Sequence, residues 1–307
     1  MVAPAGSIVT KLDGVLAVNK PAGWTSHDVV AKIRGLLGGA RVGHAGTLDP
    51  AATGVLAVLV GRATRIAEHL LEWDKTYRAV LRLGEATDTQ DATGTVVARH
   101  PVEAITDADI RHAVARFQGQ ITQMPPMYSA VKVAGVPLYR SARAGRTVER
   151  EPRAVTIHAL SVDRIDGHDV TLTITCSKGT YIRTLCADIG AALGVGGHLL
   201  SLTRTRVGPL TIEQSLTLDD VASRVAAGTT DELLIPLDAV LSGLPAVTVD
   251  AAVARRVVHG VAVPHRSVVS PAFVRIKDAD DRLIAIGRPQ DGSVKIDRVL
   301  VDAETYQ

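Results

Sequence analysis

Apolar residues run unbroken over 14–18 (GVLAV) and again over 54–60 (GVLAVLV). The first reads as a short strand followed by a turn at 19–23 (NKPAG); the second reads as a strand or the start of a helix. In contrast, 76–83 (TYRAVLRL), 154–162 and 168–176 alternate apolar and polar positions with the period of two that a half-buried strand requires. Helical spacing lies between them. Thr25-Ser26-His27-Asp28 supplies N-cap chemistry for a helix reaching Leu37, and Gly38 and Gly39 end it. Thr106 caps a second helix with Ile110, Val114 and Phe117 on one face. Residues 64–71, 182–189, 217–226 and 250–258 also read as helical.

The remaining stretches are irregular. Residues 84–94 (GEATDTQDATG) form a polar turn region before a strand at 95–98. From 124 to 153, prolines, glycines and basic residues show little periodicity, and 234–245 resembles a linker. Beyond it, 273–277, 282–286 and 294–300 read as small strands separated by DADD and a Pro-Gln-Asp-Gly turn, which suggests a compact β-rich appendage. The mixed order of strands and helices predicts an α+β fold around a largely antiparallel sheet. The expected organisation is a disordered tail over 1–12, a main domain over 13–240 with an insertion at about 124–153, and a second domain over 246–307.

Composition narrows the function less than the pattern does. Hydrophobic residues are 46% of the 307 and aromatics only 3%, so the core has to be built from aliphatic side chains. A net charge of +2 does not by itself announce a nucleic-acid partner. Its distribution says more: Lys132, Arg140, Arg143, Arg146, Arg150 and Arg153 gather within the irregular insertion against Glu149 and Glu151. That density suits either a solvated loop or a phosphate-binding flap. Cys176 and Cys186 make no CxxC or Cys/His pattern and read as buried thiols of a reducing compartment. The first residues lack a signal-peptide core, and the run after Gly54 is too short to cross a bilayer, so the expected location is cytoplasmic with no membrane contact. Glu85, Asp88 and Asp91 invite a metal site, but their spacing fits no EF-hand loop. Neither Gly-rich stretch, 35–46 or 194–197, contains a phosphate-binding GxxxxGK[ST] pattern, and no zinc-ligand spacing occurs.

The stretch 41–64, RVGHAGTLDPAATGVLAVLVGRAT, carries the candidate chemistry. Asp49 cannot continue a helix into Pro50, because the residue before proline is pushed toward extended geometry. Its carboxylate therefore sits on a turn backed by an apolar element. Such a carboxylate makes an Asx-turn or helix cap in many proteins, and in others a rigidly mounted catalytic group.

GHAGTLDPxATGVL resembles the signature of the bacterial tRNA pseudouridine-55 synthases of the TruB type. The resemblance continues in order through LAVNKPAGWTSHDVV, KTYRAVLRLGEATDTQDATG, PPMYSAVKVAGVPLYR, KGTYIRTLCADIG and HLLSLTRTRVG, across residues 14–209. It implies a pseudouridine-synthase fold, helices flanking the central sheet, and a PUA-like RNA-binding module at the C-terminus. The implied activity is an isomerisation that breaks the N1-glycosidic bond of a T-loop uridine, rotates the base and rejoins it through C5. No redox step occurs, so no cofactor or metal is expected. By the same resemblance Asp49 is the essential catalytic residue and Arg183 its ion-pair partner. Tyr77 would stack on the everted uracil, and Tyr181 and Leu202 complete the base pocket. His44 fills the gap left by flipped nucleotides, Lys20 helps position the catalytic loop and is counted with His44 among the RNA-binding residues, and the six basic residues of the insertion grip RNA. The expected partner is the tRNA T-arm stem-loop, read by a monomer with no obligate protein partner. Two other readings use the same residues: an RNA-binding or tRNA-folding protein without required catalysis, and a glycosidase-like enzyme acting on free nucleosides.

Overall fold

The unbroken apolar runs are strands buried on both faces, and the alternating ones are strands buried on one. The structure, a computed structural model, describes residues 12–129, 131–133, 135–146, 148–264 and 273–306. The tail expected over 1–12 lies, apart from Leu12, outside them. In chain order the elements begin β1 (Gly14–Lys20), α1 (Ser26–Leu36), β2 (Val42–Ala45), β3 (Thr53–Val60), a 3-10 turn (Gly61–Ile66), α2 (Ala67–Leu71), β4 (Lys75–Leu83), β5 (Glu85–Thr87), β6 (Val96–Arg99), α3 (Asp107–Ala115) and β7 (Gly119–Gln123). The insertion follows as a small hairpin, β8 (Lys132–Val133) and β9 (Val136–Pro137), with α4 (Leu138–Arg143). Then come β10 (Arg153–Asp166), β11 (Asp169–Cys176), α5 (Ile182–Ala192), β12 (Gly197–Val207), β13 (Leu210–Thr211), α6 (Leu218–Ala226) and α7 (Leu237–Val240). The C-terminal part holds β14 (Ala246–Thr248), α8 (Ala251–Val257), β15 (Val263–Pro264), β16 (Val274–Lys277), β17 (Leu283–Gln290) and β18 (Ser293–Val299).

A nine-stranded sheet runs in the order β1-β3-β12-β4-β11-β10-β7, with β2 on β3 and β13 on β12. Every pairing in it is antiparallel except β3 with β12, giving the largely antiparallel mixed sheet expected from the sequence. On β11, Val170, Leu172, Ile174 and Cys176 are buried at a period of two, opposite Leu81, Ala79, Tyr77 and Lys75 of β4. Helix α5 lays Ile182, Leu185 and Ile189 into the same cluster, which fixes its N-terminus above the sheet. The other half of the sheet is covered twice. One face of β1 and β3 (Leu16, Val18, Leu56, Val58) meets α1 and α6; the opposite face (Val15, Ala17, Val55, Ala57, Leu59) meets the 3-10 turn, α2 and α7. Burial on both faces is why these two strands read as continuous runs rather than as alternation.

The helix starts follow from local chemistry. Thr25, Thr106 and Thr217 each close a reciprocal capping box with the Asp three residues on (Asp28, Asp109 and Asp220). Other readings are corrected. The 54–60 run is strand throughout. Strands β7 and β12 carry no expectation from the pattern, yet β12 lies at the middle of the sheet. The stretch 234–245 is no loose linker: Ile235 bridges to Val15, and Val240 and Leu241 are buried. A second sheet, β14-β16-β17-β18-β15, forms the β-rich C-terminal part around Val274, Ile276, Ile284 and Val294. It is joined to the first by Ile286 and Leu300, which enter the cluster under β3, and by the pairs His69–Asp297 (2.9 Å) and Arg275–Asp238 (2.8 Å). Among the described residues no helix is long and apolar enough to cross a membrane.

Candidate active site

Strands β2 and β3 form an antiparallel hairpin in register from Val42↔Val60 to Ala45↔Ala57, and the loop between them carries Asp49. Three buried side chains hold this loop. Ser26, at the start of α1, accepts from the Leu48 amide (2.9 Å) and donates to the Leu48 carbonyl (3.2 Å). The Lys20 ammonium donates to the carbonyls of Pro21 (2.9 Å), Trp24 (2.7 Å) and Pro50 (3.2 Å). Arg204, from β12, donates to the carbonyls of Val55 (2.7 Å), Gly46 (2.9 Å) and Thr47 (3.4 Å). At Gly54, φ is +99° and a Cβ would lie 2.2 Å from the Arg204 carbonyl oxygen, so only glycine lets the two strands approach. The loop owes its shape to cations that saturate its carbonyls, since it has almost no ladder of its own.

Asp49 projects from this support into a cleft of about 1160 Å³, whose lining includes Tyr77, Tyr181, Leu202, Arg183 and Arg204. Its Oδ2 pairs with Arg183 Nε at 2.9 Å. The rest of the Arg183 guanidinium is spoken for: it donates to the Tyr128 carbonyl (2.9 Å) and the Thr89 carbonyl (3.3 Å), and approaches Asp91 at 3.5 Å. Asp91 is itself held by the hydroxyls of Thr89 and Thr93. Although 45% of the Asp49 side chain is open to the cleft, the surrounding walls strip enough water to push its carboxyl above the usual carboxylate range. Arg183 opposes that rise, and the neighbouring Asp91 charge adds to it. A proton-hungry carboxylate, kept charged and aimed by one guanidinium, can attack an electrophilic carbon or accept a proton from carbon.

The walls are aromatic and aliphatic. Tyr77 on β4 faces Arg204 in the β4–β12 register, and Leu202 lies two positions along β12. Burial raises the Tyr77 phenol, with Arg204 acting against it, so the ring enters neutral. Tyr181 sits at the N-terminus of α5, where Gln123 of β7 clamps its backbone from both sides (3.0 and 3.2 Å). Lys75, also at the cleft, is 6% exposed and its ammonium is pulled down to about 8, chiefly by burial.

The residues expected to meet RNA divide. His44 is half-buried on β2, its Nδ1 has no hydrogen-bond partner, and burial with help from Arg204 and His27 lowers its pKa. Arg140, Arg146 and Arg153 are exposed, as RNA contacts require. Arg150 is half-buried and donates to the Pro125 carbonyl (3.0 Å), which fastens the root of the insertion. The side chains of Lys132 and Arg143 lie outside the described ones. Lys20 requires a correction: it is fully buried and spends its donors on backbone carbonyls, so it positions the loop and cannot touch a ligand. Burial brings its pKa to about 8. The acidic residues of 84–94 hold no common site: Glu85 pairs with Arg99, Asp88 accepts from the Thr95 amide and Asp91 serves Arg183. Arg204 was not anticipated as a functional residue. The only sequence signal was an arginine at an inward position of a Thr/Arg alternation, and its partners lie some 150 residues earlier.

Comparison with known proteins shows which family shares this sequence and mixed sheet. The sequence matches the family described as TruB family pseudouridylate synthase (N terminal domain) over residues 34–182. It also matches tRNA pseudouridylate synthase B C-terminal domain over 183–242 and Pseudouridine synthase II TruB, C-terminal, over 245–300. It is 48% identical over 299 residues to a tRNA pseudouridine synthase B of Burkholderia mallei (strain NCTC 10247), covering 94% of this chain and 97% of that protein. The corresponding enzyme of Thermobifida fusca (strain YX) is 48% identical over 294 residues, covering 92% and 96%. Among solved structures, that of a Cbf5-Nop10-Gar1 complex superposes with a TM-score of 0.76 at 30% identity, covering 95% of this chain and 86% of that one. An H/ACA RNP bound to a substrate RNA containing 2'-deoxyuridine gives 0.73 at 28%, covering 96% and 87%. The fold is thus that of enzymes that isomerise uridine in RNA. The chain belongs to the TruB family of pseudouridylate synthases.

Proposed function

We propose that the protein converts the T-loop uridine at position 55 of tRNA to pseudouridine, with Asp49 as the catalytic group. The observation that carries this reading is the Asp49 carboxylate, set 2.9 Å from Arg183 at the bottom of a cleft walled by Tyr77, Tyr181 and Leu202. The everted uracil lies against Tyr77, where stacking worth about 1–3 kcal/mol offsets much of the cost of unstacking the base. Asp49 then attacks the ribose C1′ or removes the C2′ proton; either route breaks the N1–C1′ bond. The freed uracil turns within the pocket and C5 bonds to C1′ as Asp49 leaves that carbon or returns the C2′ proton; the C5 proton then departs and N1 takes one up, so no atom is gained or lost. Arg183 holds the carboxylate charged and aimed until it reacts.

His44 contacts the opened loop, and Arg140, Arg146 and Arg153 meet backbone phosphates, positioning the stem without reading its bases. The C-terminal sheet acts as a PUA-like RNA-binding module. The protein works as a cytoplasmic monomer. A scaffold that only folds tRNA would have no use for a carboxylate held above its ordinary range beside a guanidinium, which favours the catalytic reading. The test is conversion of a T-arm stem-loop RNA, read by a pseudouridine-specific adduct. Asp49→Asn should abolish conversion while RNA binding persists; turnover by that variant overturns the assignment.

A further inference from the structure

Two buried side-chain polar atoms among the described residues lack any hydrogen-bond partner, His44 Nδ1 and Ser129 Oγ. The first belongs to the RNA contacts already proposed. The second is on no such list. Ser129 is 5% exposed, lines the cleft, and lies in the PPMYSA stretch at the root of the basic insertion. The residues just before it are fastened at two points. The Tyr128 carbonyl accepts from Arg183 Nη2 at 2.9 Å, and the Pro125 carbonyl accepts from Arg150 Nη1 at 3.0 Å. The backbone of this segment is thus tied to the guanidinium that aims Asp49, while the serine hydroxyl is left unpaired.

A buried hydroxyl without a partner is costly, and it persists where something else completes it. A serine hydroxyl swings among three staggered positions, so an occupant of the cleft can draw it out. The chemistry of the surroundings selects the occupant. The Tyr77–Leu202 wall suits the uracil ring, and Asp49 faces the sugar. Ser129 lies on the Arg183 side, where the cleft meets the insertion that carries exposed Arg140 and Arg146. A nucleotide everted from an RNA loop has to bring its charged backbone past this point.

We infer that Ser129 is an additional substrate-binding residue, whose hydroxyl donates to a phosphodiester oxygen flanking the target uridine and so seats the everted nucleotide against Asp49. This rests on the RNA-substrate reading above. It predicts a signature that a packing role does not share, because removing an unpartnered buried hydroxyl relieves the free protein while depriving the complex of a charge-assisted bond.

The experiment compares wild type, Ser129→Ala and Ser129→Thr on T-arm stem-loop RNA. Ser129→Ala should lower kcat/KM about tenfold, mainly through KM, with a melting temperature no lower than wild type. Ser129→Thr, which keeps the hydroxyl, should recover most of the loss. Replacing the two flanking phosphates in turn by a neutral methylphosphonate should, at one of them, erase the difference between wild type and Ser129→Ala. An unchanged kcat/KM overturns the inference. So does a loss that survives in full on both methylphosphonate RNAs, which places the hydroxyl on the base or ribose, and so does a lowered melting temperature that accounts for the loss. Affinity for the same RNAs, measured by filter retention with and without Ser129→Ala, reads the phosphate contact even if the RNA is bound and not converted. That outcome would sink the T-loop assignment alone.

Discussion

The loop that carries Asp49 and the insertion at 124–153 both stand outside the main sheet, and both border the same cleft, yet they are built on opposite principles. The first is fixed from beneath by Lys20, Ser26 and Arg204, which saturate its carbonyls from buried positions. The second is tied down at its root by Arg150 and Arg183 and otherwise presents exposed arginines to solvent. A reacting group gains from having one geometry, because a misplacement of an ångström is costly to rate. A backbone-gripping segment gains from adjusting to a partner whose charge, rather than exact shape, it reads.

The contrast breaks most severely at Arg204. Arg204→Met strands the buried Val55 carbonyl and the part-buried carbonyls of Gly46 and Thr47, and should cost about 3 kcal/mol, read by urea denaturation, with turnover lost at temperatures where the variant is still folded. Lys20→Met should follow, with a cost of about 2 kcal/mol and reduced kcat. Its pH dependence is distinctive. The folded pKa of Lys20 is depressed to about 8 from 10.5, so the unfolded chain binds more protons between those values. Wild-type stability therefore rises with pH across that window, and the gap to Lys20→Met should widen from pH 8 to 10.5.

The insertion should behave otherwise. Neutralising Arg140, Arg146 and Arg153 together should leave the melting temperature unchanged while lowering RNA affinity and reducing the slope of log K against log salt by about 2. A large loss of stability there would erase the distinction between the two loops. The smallest effect is expected at Asp49 itself. Its carboxyl is raised on folding, so ionising it at neutral pH opposes the fold. Asp49→Asn should raise the melting temperature slightly at pH 7, and the gain should vanish as pH falls through the raised value toward 3.8.

The same contrast explains what could be read from the chain alone. Elements stabilised by near neighbours were legible: the Thr25 and Thr106 caps, the period of two on β4 and β11, and the apolar strand β1. Asp49, Tyr77, Tyr181, Arg183 and Leu202 emerged from the motif resemblance, and they do line one cleft. Strand β12 was not foreseen. Its inward position 204 carries a charge where alternation calls for an apolar residue, and the reason is a set of carbonyls on a remote loop. Residues 234–245 misled in a similar way, because two prolines suggested a spacer while the partner of Ile235 is Val15, at the other end of the sequence. Lys20 falls within the turn read at 19–23, and only the fold wraps it with acceptors.

Ile286 and Leu300 of the C-terminal sheet share an apolar cluster with Val55, Ala57 and Leu59, the strand that continues directly from the Asp49 loop. The two parts of this enzyme are therefore not interchangeable modules. Grafting a foreign domain in place of the C-terminal part, or pruning the native one, would leave a bare greasy patch behind the Asp49 loop, and any such exchange must redesign that seam first.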